Sequence, residues 1–355
     1  MLFSGDGKMR LAVFAGKFDP ITNKHIAFAR KLLTDQFDHI YFLPVDPAFV
    51  KPEWRHRMCE TALGSCEDMS VIGEDVSTPR KEMLSALKTI AAVHPDHQLA
   101  FIMEDGLKAP KGYPVIPFES DSREAVLEIG RYRDTCLISR NVLAFIASQG
   151  LYQHCEEKKL REMLSKGRLQ HTMGVRSTAV QIARRFDSPM IKCGIAALYH
   201  DCAKEMPVKE MRRICVNELG KKEQDEILSS GALMHGHVGA YLTEKLFNVH
   251  DEEILNAIRY HTTGRVDMSD TEMIVFLADA IEPNRADYPG LQEIRQLSQE
   301  SVRAAVLLSL CVTKAYVLQS GKVFHASGDQ TITWLREKCT ERERSLTKHM
   351  LEKLI

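Results

Sequence analysis

The chain has nine cysteines but no CxxC pair. They lie at positions 59, 66, 136, 155, 193, 202, 215, 311 and 339, an odd number, and several sit in apolar helix-like sequence such as IKCGIAALYHDCAK. That excludes a disulfide scaffold and a cysteine-built zinc site. It leaves free, mostly buried thiols, as expected of a cytoplasmic protein. No run of 18 apolar residues occurs, so no membrane-spanning helix is expected. The opening MLFSGDGKMRLAVFAG lacks a basic region followed by a long apolar one, and reads as a first strand rather than a signal peptide. Excess charge of one sign is also missing: 47 Lys and Arg stand against 48 Asp and Glu, a formal net charge of -1. Nothing in that balance suggests a nucleic-acid or anionic-membrane partner. Internal repeats, low-complexity tracts and a long flexible linker are absent too. Oligomeric state is left open.

What is present divides in two. At 355 residues, two domains are expected. In the first part, short apolar runs alternate with helical periods: RLAVFA, then HIAFARKLLTDQF, HIYFLPV ended by Pro44 and Pro47, EWRHRMCETALGSC, MSVIGEDV, TPRKEMLSALKTIAAVHP and QLAFIME. This order predicts an α/β domain with a parallel sheet and helices on both faces, binding ligands beyond the carboxyl ends of its strands. A short strand VIPF and a helix NVLAFIASQGLYQ, capped near Gly150, close it. From residue 156 the strands disappear and helices follow one another: 156–165, 171–186, 189–204, 207–218, 223–231, 234–247, 251–261, 269–281, 290–296 and 298–320, with one terminal helix from TITWLREK onward. The reading is an α/β domain over 1–155 and an all-α domain over 156–355, with the boundary near 153–157.

The helical half carries His171, the adjacent pair His200-Asp201, His235, His261 and Asp279, each inside or at the edge of an apolar helix-like run. A histidine or aspartate there is costly to bury without a partner. Neutral imidazoles and carboxylates suit divalent transition metals. Six such groups exceed what one tetrahedral ion needs, so the set points to a two-metal hydrolytic centre.

The ordered series H…HD…D resembles the HD superfamily of helical metal-dependent phosphohydrolases. With LMHGHVGAYL, NAIRYHTTGR, FLADAIEPNR and a late GKVFH it resembles one branch, the YqeK-type symmetrical diadenosine tetraphosphate hydrolases. That resemblance covers roughly 165–330. It implies two metal ions, iron first, with manganese, zinc or nickel as alternatives. His171, His200, Asp201 and Asp279 would hold one ion; Asp201 would bridge to the second, completed by His235 and His261. A water activated by both would attack a phosphorus. Lys204, Arg265 and Arg285 are candidates for holding phosphate oxygens. The substrates implied are small nucleotides, split to two ADP.

AGKFDPITNKH at 15–25 resembles the nucleotidyltransferase family that includes nicotinate mononucleotide adenylyltransferases. The likeness covers roughly 10–152. It implies a Rossmann-like sheet whose first turn, with Gly16, Phe18, Thr22 and His25, binds the phosphates of Mg-ATP. Lys51, Arg57 and Arg123 are further candidates for phosphate contact. Several positions depart from that family's pattern. Ala15-Gly16 stands for paired glycines, Thr22 for the first histidine and Lys24 for the glycine before the second. The region 103–118 is short and lacks the expected tryptophan. Two readings follow: transfer of adenylyl to nicotinate mononucleotide, or a domain that only binds nucleotide or serves structure.

Overall fold

A computed structural model of the protein describes residues 7–46, 48–73, 79–153 and 157–353. Pro47, Cys155, the end of the MSVIGEDV stretch and most of the expected boundary lie outside them. Two compact units are present, Met1–Ile146 and Ala147–Ile355.

The first unit runs β1 (Met9–Gly16), α1 (Asn23–Asp35), β2 (His39–Pro44), α2 (Pro52–Leu63), β3 (Met69–Val71), α3 (Pro79–Val93), β4 (His97–Glu104), β5 (Val115–Phe118), α4 (Ser122–Gly130) and α5 (Arg140–Gln149). The two compact units divide inside α5, between Ile146 and Ala147. A division within a helix leaves no Gly, Pro or charge signal for the sequence to show. The five strands are all parallel, in the order β3-β2-β1-β4-β5. β1 sits in the middle, and Leu11 to Ala15 are fully buried. Its pleat divides two cores. Leu11, Val13 and Ala15 pack with Leu43, Leu99, Phe101 and Met103. Phe14 faces the other way, onto Phe18, His25, Phe42 and Phe118. The strand order reverses between β1 and β4, which places a crevice where the carboxyl ends of those two strands diverge.

The second unit is helical: α6 (Glu157–Met163), α7 (Lys166–Arg185), α8 (Met190–Tyr199), α9 (Val208–Asn217), α10 (Gly231–Phe247), α11 (Glu252–Tyr260), α12 (Asp270–Ile281), α13 (Leu291–Leu297), α14 (Val302–Gln319), α15 (Ala326–Lys338) and α16 (Glu341–Glu352). α7, α8, α11 and α12 pack on one another, and α10 lies against α11. Several extents differ from the sequence reading. α7 begins at Lys166, because Ser165 caps it by accepting from Arg168 N at 3.3 Å, so His171 is interior to a helix whose first turn is polar. α8 stops at Tyr199, and His200 is its C-cap. The stretch 223–231 holds a 3₁₀ turn, Glu226–Ser229, and the first residue of α10. The terminal segment is two helices, because Thr340 and Glu343 form a capping box that starts α16 afresh.

α14 bears on the membrane expectation. Over 18 residues its mean hydropathy is 1.4, long and apolar enough to cross a membrane by length and composition. Arg303 and Lys314 interrupt it, so no unbroken apolar run announces it. Ala304 to Leu310 are buried in the unit, in contact with α12, α13, α15 and α16.

Candidate metal centre

α7, α8, α10, α11 and α12 each bring one or two groups to a common point. His200 and His261 are both C-cap residues, of α8 and α11. Their Nδ1 atoms lie 2.7 Å from the carbonyls of Ala197 and Ile258. A carbonyl only accepts, so Nδ1 carries the proton and Nε2 presents its lone pair to the cluster. His235, one turn into α10, does the same at 3.3 Å from the Gly231 carbonyl. His171 turns Nδ1 to the Glu282 carboxylate at 3.1 Å instead.

These lone pairs converge on Asp201, which is 2 % exposed. Its two oxygens face different partners. Oδ1 lies 3.2 Å from His235 Nε2 and 3.6 Å from His261 Nε2. Oδ2 lies 3.5 Å from His200 Nε2 and 3.8 Å from His171 Nε2. Asp279 joins the second side, with Oδ1 3.1 Å from His171 Nε2 and 3.9 Å from His200 Nε2. Glycines permit the approach. A Cβ on Gly236 of α10 would sit 2.7 Å from the Arg259 carbonyl of α11, so the two helices touch backbone to backbone beside His235 and His261.

The donor chemistry fits divalent cations. His235 Nε2 and His261 Nε2 are 2.9 Å apart, two lone pairs that repel unless positive charge lies between them. His200 Nε2 and Asp201 Oδ1 are buried with no hydrogen-bond partner among the described residues. His171, His200 and Asp279 form one set of donor atoms close enough to share an ion, and His200, Asp201 and His261 another. Burial pushes His200 down to about 4, holding it neutral. Burial lowers His235 as well, more than Asp201 opposes it. For Asp201, burial favours the neutral acid, but the facing histidines outweigh it and hold the carboxyl well below its usual range. His171 is also disfavoured as a cation by burial, yet Asp279 and Glu282 together raise it. Around His200, His235 and Asp201 the site is thus ionised as metal ligation requires, neutral imidazole and carboxylate, while a cation would have to displace the proton that Asp279 and Glu282 favour on His171.

Comparison with known proteins identifies the helical unit's family. An HD domain model matches residues 168–284. The symmetrical bis(5'-nucleosyl)-tetraphosphatase of Bacillus subtilis is 38% identical over 176 residues, covering 50% of this chain and 93% of that protein. The chain belongs to this family of HD-domain proteins. A "probable nicotinate-nucleotide adenylyltransferase/Ap4A hydrolase" of Mycoplasma genitalium is 26% identical and covers 85% of this chain and 97% of that protein. Among solved structures, an HD superfamily hydrolase described as involved in NAD metabolism, from Clostridium acetobutylicum, is similar at a TM-score of 0.50 and 35% identity, covering 52% of this chain and 99% of its own.

Within the family's helical unit, the structure brings together His171, His200, Asp201, His235, His261 and Asp279, and sets Lys204 and Arg285 beside them. Lys204 Nζ is 3.1 Å from His235 Nε2 and 3.5 Å from Asp201 Oδ1, and Arg285 Nη1 is 3.5 Å from Asp279 Oδ1. Arg265 is used differently. Its guanidinium holds the buried Glu272 through two bonds, 2.6 and 2.7 Å, and lies over the Tyr260 ring. Two neighbours escaped the sequence reading. Arg168 Nη1 donates to Asp201 Oδ2 at 2.8 Å, and Glu282 orients His171. Arg168 lies one helical turn before His171 on α7, a spacing that could have flagged it.

In the first unit, Gly16 ends β1, Thr22 caps α1, and Phe18, Thr22 and His25 are buried together. Lys51 precedes α2 as its N-cap, and Lys51, Arg57 and Arg123 are exposed.

Proposed function

We propose that the second unit hydrolyses dinucleoside polyphosphates, diadenosine tetraphosphate first among them, symmetrically and with two divalent metal ions, iron being the first choice. The observation that carries this is the division of Asp201: one oxygen faces His235 and His261, the other His171 and His200. One carboxylate so placed can serve two ions. His171, His200, Asp201 and Asp279 would hold one, and Asp201, His235 and His261 the other. Bound there, the ions supply acidification of a water and neutralisation of phosphate charge.

The chain's own groups do the rest. The carbonyl-anchored histidines keep their tautomers and need no reorganisation. Arg168, Lys204 and Arg285 place three cations against the carboxylate pair, each partly exposed, where they can take phosphate oxygens and stabilise charge developing on them. Water adds to one phosphorus of the central bridge, the bridging P–O bond breaks, and ADP leaves while a second ADP forms.

Metal analysis of the purified protein and product analysis with diadenosine tetraphosphate test this. About two ions per chain and ADP as sole nucleotide product are expected; ATP with AMP would contradict symmetrical cleavage. Asp201→Ala should lose metal and turnover while keeping its helix content. Full activity in that variant would remove Asp201 from the centre.

A second reading concerns the first unit and is favoured by the similarity to the Mycoplasma genitalium protein along most of the chain. It assigns that unit nucleotide handling, either transfer of adenylyl from Mg-ATP to nicotinate mononucleotide or binding alone. Deamido-NAD formed from those two substrates by the wild-type chain marks the former; its absence leaves the latter.

A further inference from the structure

We propose that Glu104 occupies the anion position of the first unit's β1–α1 turn, as a permanent part of the fold, and so sets this crevice against polyphosphates. The crevice lies where the strand order reverses, between the carboxyl ends of β1 and β4. In such sheets that position takes the ligand, and successive main-chain N–H groups there gather anions. Here the anion is a side chain. Glu104, the last residue of β4, accepts from the main-chain N–H of Lys17 and, at 3.5 Å, from that of Phe18. Phe18 has a φ of 46°, in the left-handed region that bulky residues rarely adopt, and so turns its N–H to the same oxygen as Lys17. Gly16 leaves the room: a Cβ there would stand 2.7 Å from Glu104 Oε2. The carboxylate is 5 % exposed.

The histidine of the turn is withdrawn in the same way. His25 is fully buried. Its Nδ1 accepts from Thr22 N at 3.0 Å, so Nε2 carries the proton, directed at Ser120 Oγ 3.4 Å away. Phe118 and Phe18 enclose the ring at 4.7 and 5.2 Å between centroids. Thr22 Oγ1 in turn donates to Asp121. Carboxylate and phosphate need the same donors and repel each other, so the turn cannot serve both. Burial raises the pKa of Glu104, although the Lys17 N–H opposes this. The arrangement argues against the nucleotide-handling reading of the first unit: the unit binds no triphosphate at the turn, and Glu104 is the residue deciding it.

Tripolyphosphate is the probe. The full-length protein, with its metals, is titrated as wild type, Glu104→Ala and Glu104→Gln, following the amide resonances of Lys17 and Phe18 by NMR. Hydrolysis by the second unit and thermal melting report folding. The wild-type resonances should stay in place at millimolar probe. In Glu104→Ala they should move saturably, with affinity at least about tenfold above any wild-type response, and in Glu104→Gln, which keeps the volume and loses the charge, by a smaller factor. Saturable movement in the wild type equal to that in Glu104→Ala would overturn the proposal. So would the absence of any gain in either folded variant. The wild-type titration decides the point even if both variants fold poorly.

Discussion

Three histidines of the second unit, His200, His235 and His261, turn Nδ1 to a main-chain carbonyl, whereas His171 depends on Glu282. A carbonyl is fixed by its helix, but a side chain can be removed. Glu282→Ala should therefore weaken metal affinity by roughly 10–100-fold, read from metal retention against increasing chelator, while Glu282→Gln keeps more of it. Unchanged retention in Glu282→Ala would show that His171 holds its place without help. His25 makes a different prediction. Burial brings its pKa down to about 4 from an ordinary 6.5. Between those values the unfolded chain binds more protons than the folded one. The stability of the first unit is then complete above the ordinary value and falls as the pH drops through this window. Melting of the first unit at pH 7 and pH 4.5 should differ more in the wild type than in His25→Gln (both values lying about that window). Burial lowers His39 as well, so part of the slope should persist. The residue types at these positions were legible in the sequence. The roles of Glu282 and Arg168 were not, because a carboxylate or guanidinium just after a helix or in its first turn is most often a capping or solvated charge.

At the scale of elements, α10 and α11 form the second half of the centre by backbone contact at Gly236. Gly236→Ala should push them apart, at a cost of about 1–3 kcal/mol. His235 and His261 would separate with the helices, so metal content and turnover should fall together with the melting temperature. A variant that melts lower yet keeps full metal would disconnect the packing from the site. The start of α16 rests on Glu343, which accepts from Thr340 N at 2.8 Å, Thr340 Oγ1 at 3.0 Å and Ser301 Oγ at 2.5 Å. Glu343→Ala should cost more than Thr340→Ala, whose loss of one cap is worth about 1 kcal/mol, and thermal denaturation of the two variants ranks them. The helix order and most helix cores followed from apolar periodicity. The ends did not: α8 stopping before His200 and the break before α16 depend on which main-chain groups find a partner, and periodicity is silent on that.

The whole molecule divides into two compact units. Metal stabilises only the folded form that holds it, by about 4 kcal/mol at a thousandfold excess over the dissociation constant. Stripping metal should accordingly lower one melting transition, that of the helical unit, and leave the other in place; a common shift of both would contradict separate units. His25→Ala should likewise leave hydrolysis untouched. By itself, the amino-acid order determined the two architectures and the six-residue series, since buried polar groups in apolar helices stand out wherever they lie in a chain. Tertiary structure alone decided which oxygen of Asp201 faces which histidines, that Arg265 is bound to Glu272, and that Glu104 sits on the turn amides of β1. The first and last depend on side chains from elements distant in sequence meeting at close range, and the second, seven residues apart, on the loop that turns Arg265 back onto α12. No spacing along the chain records such a meeting, and one rotamer or one turn of helix would change the partner.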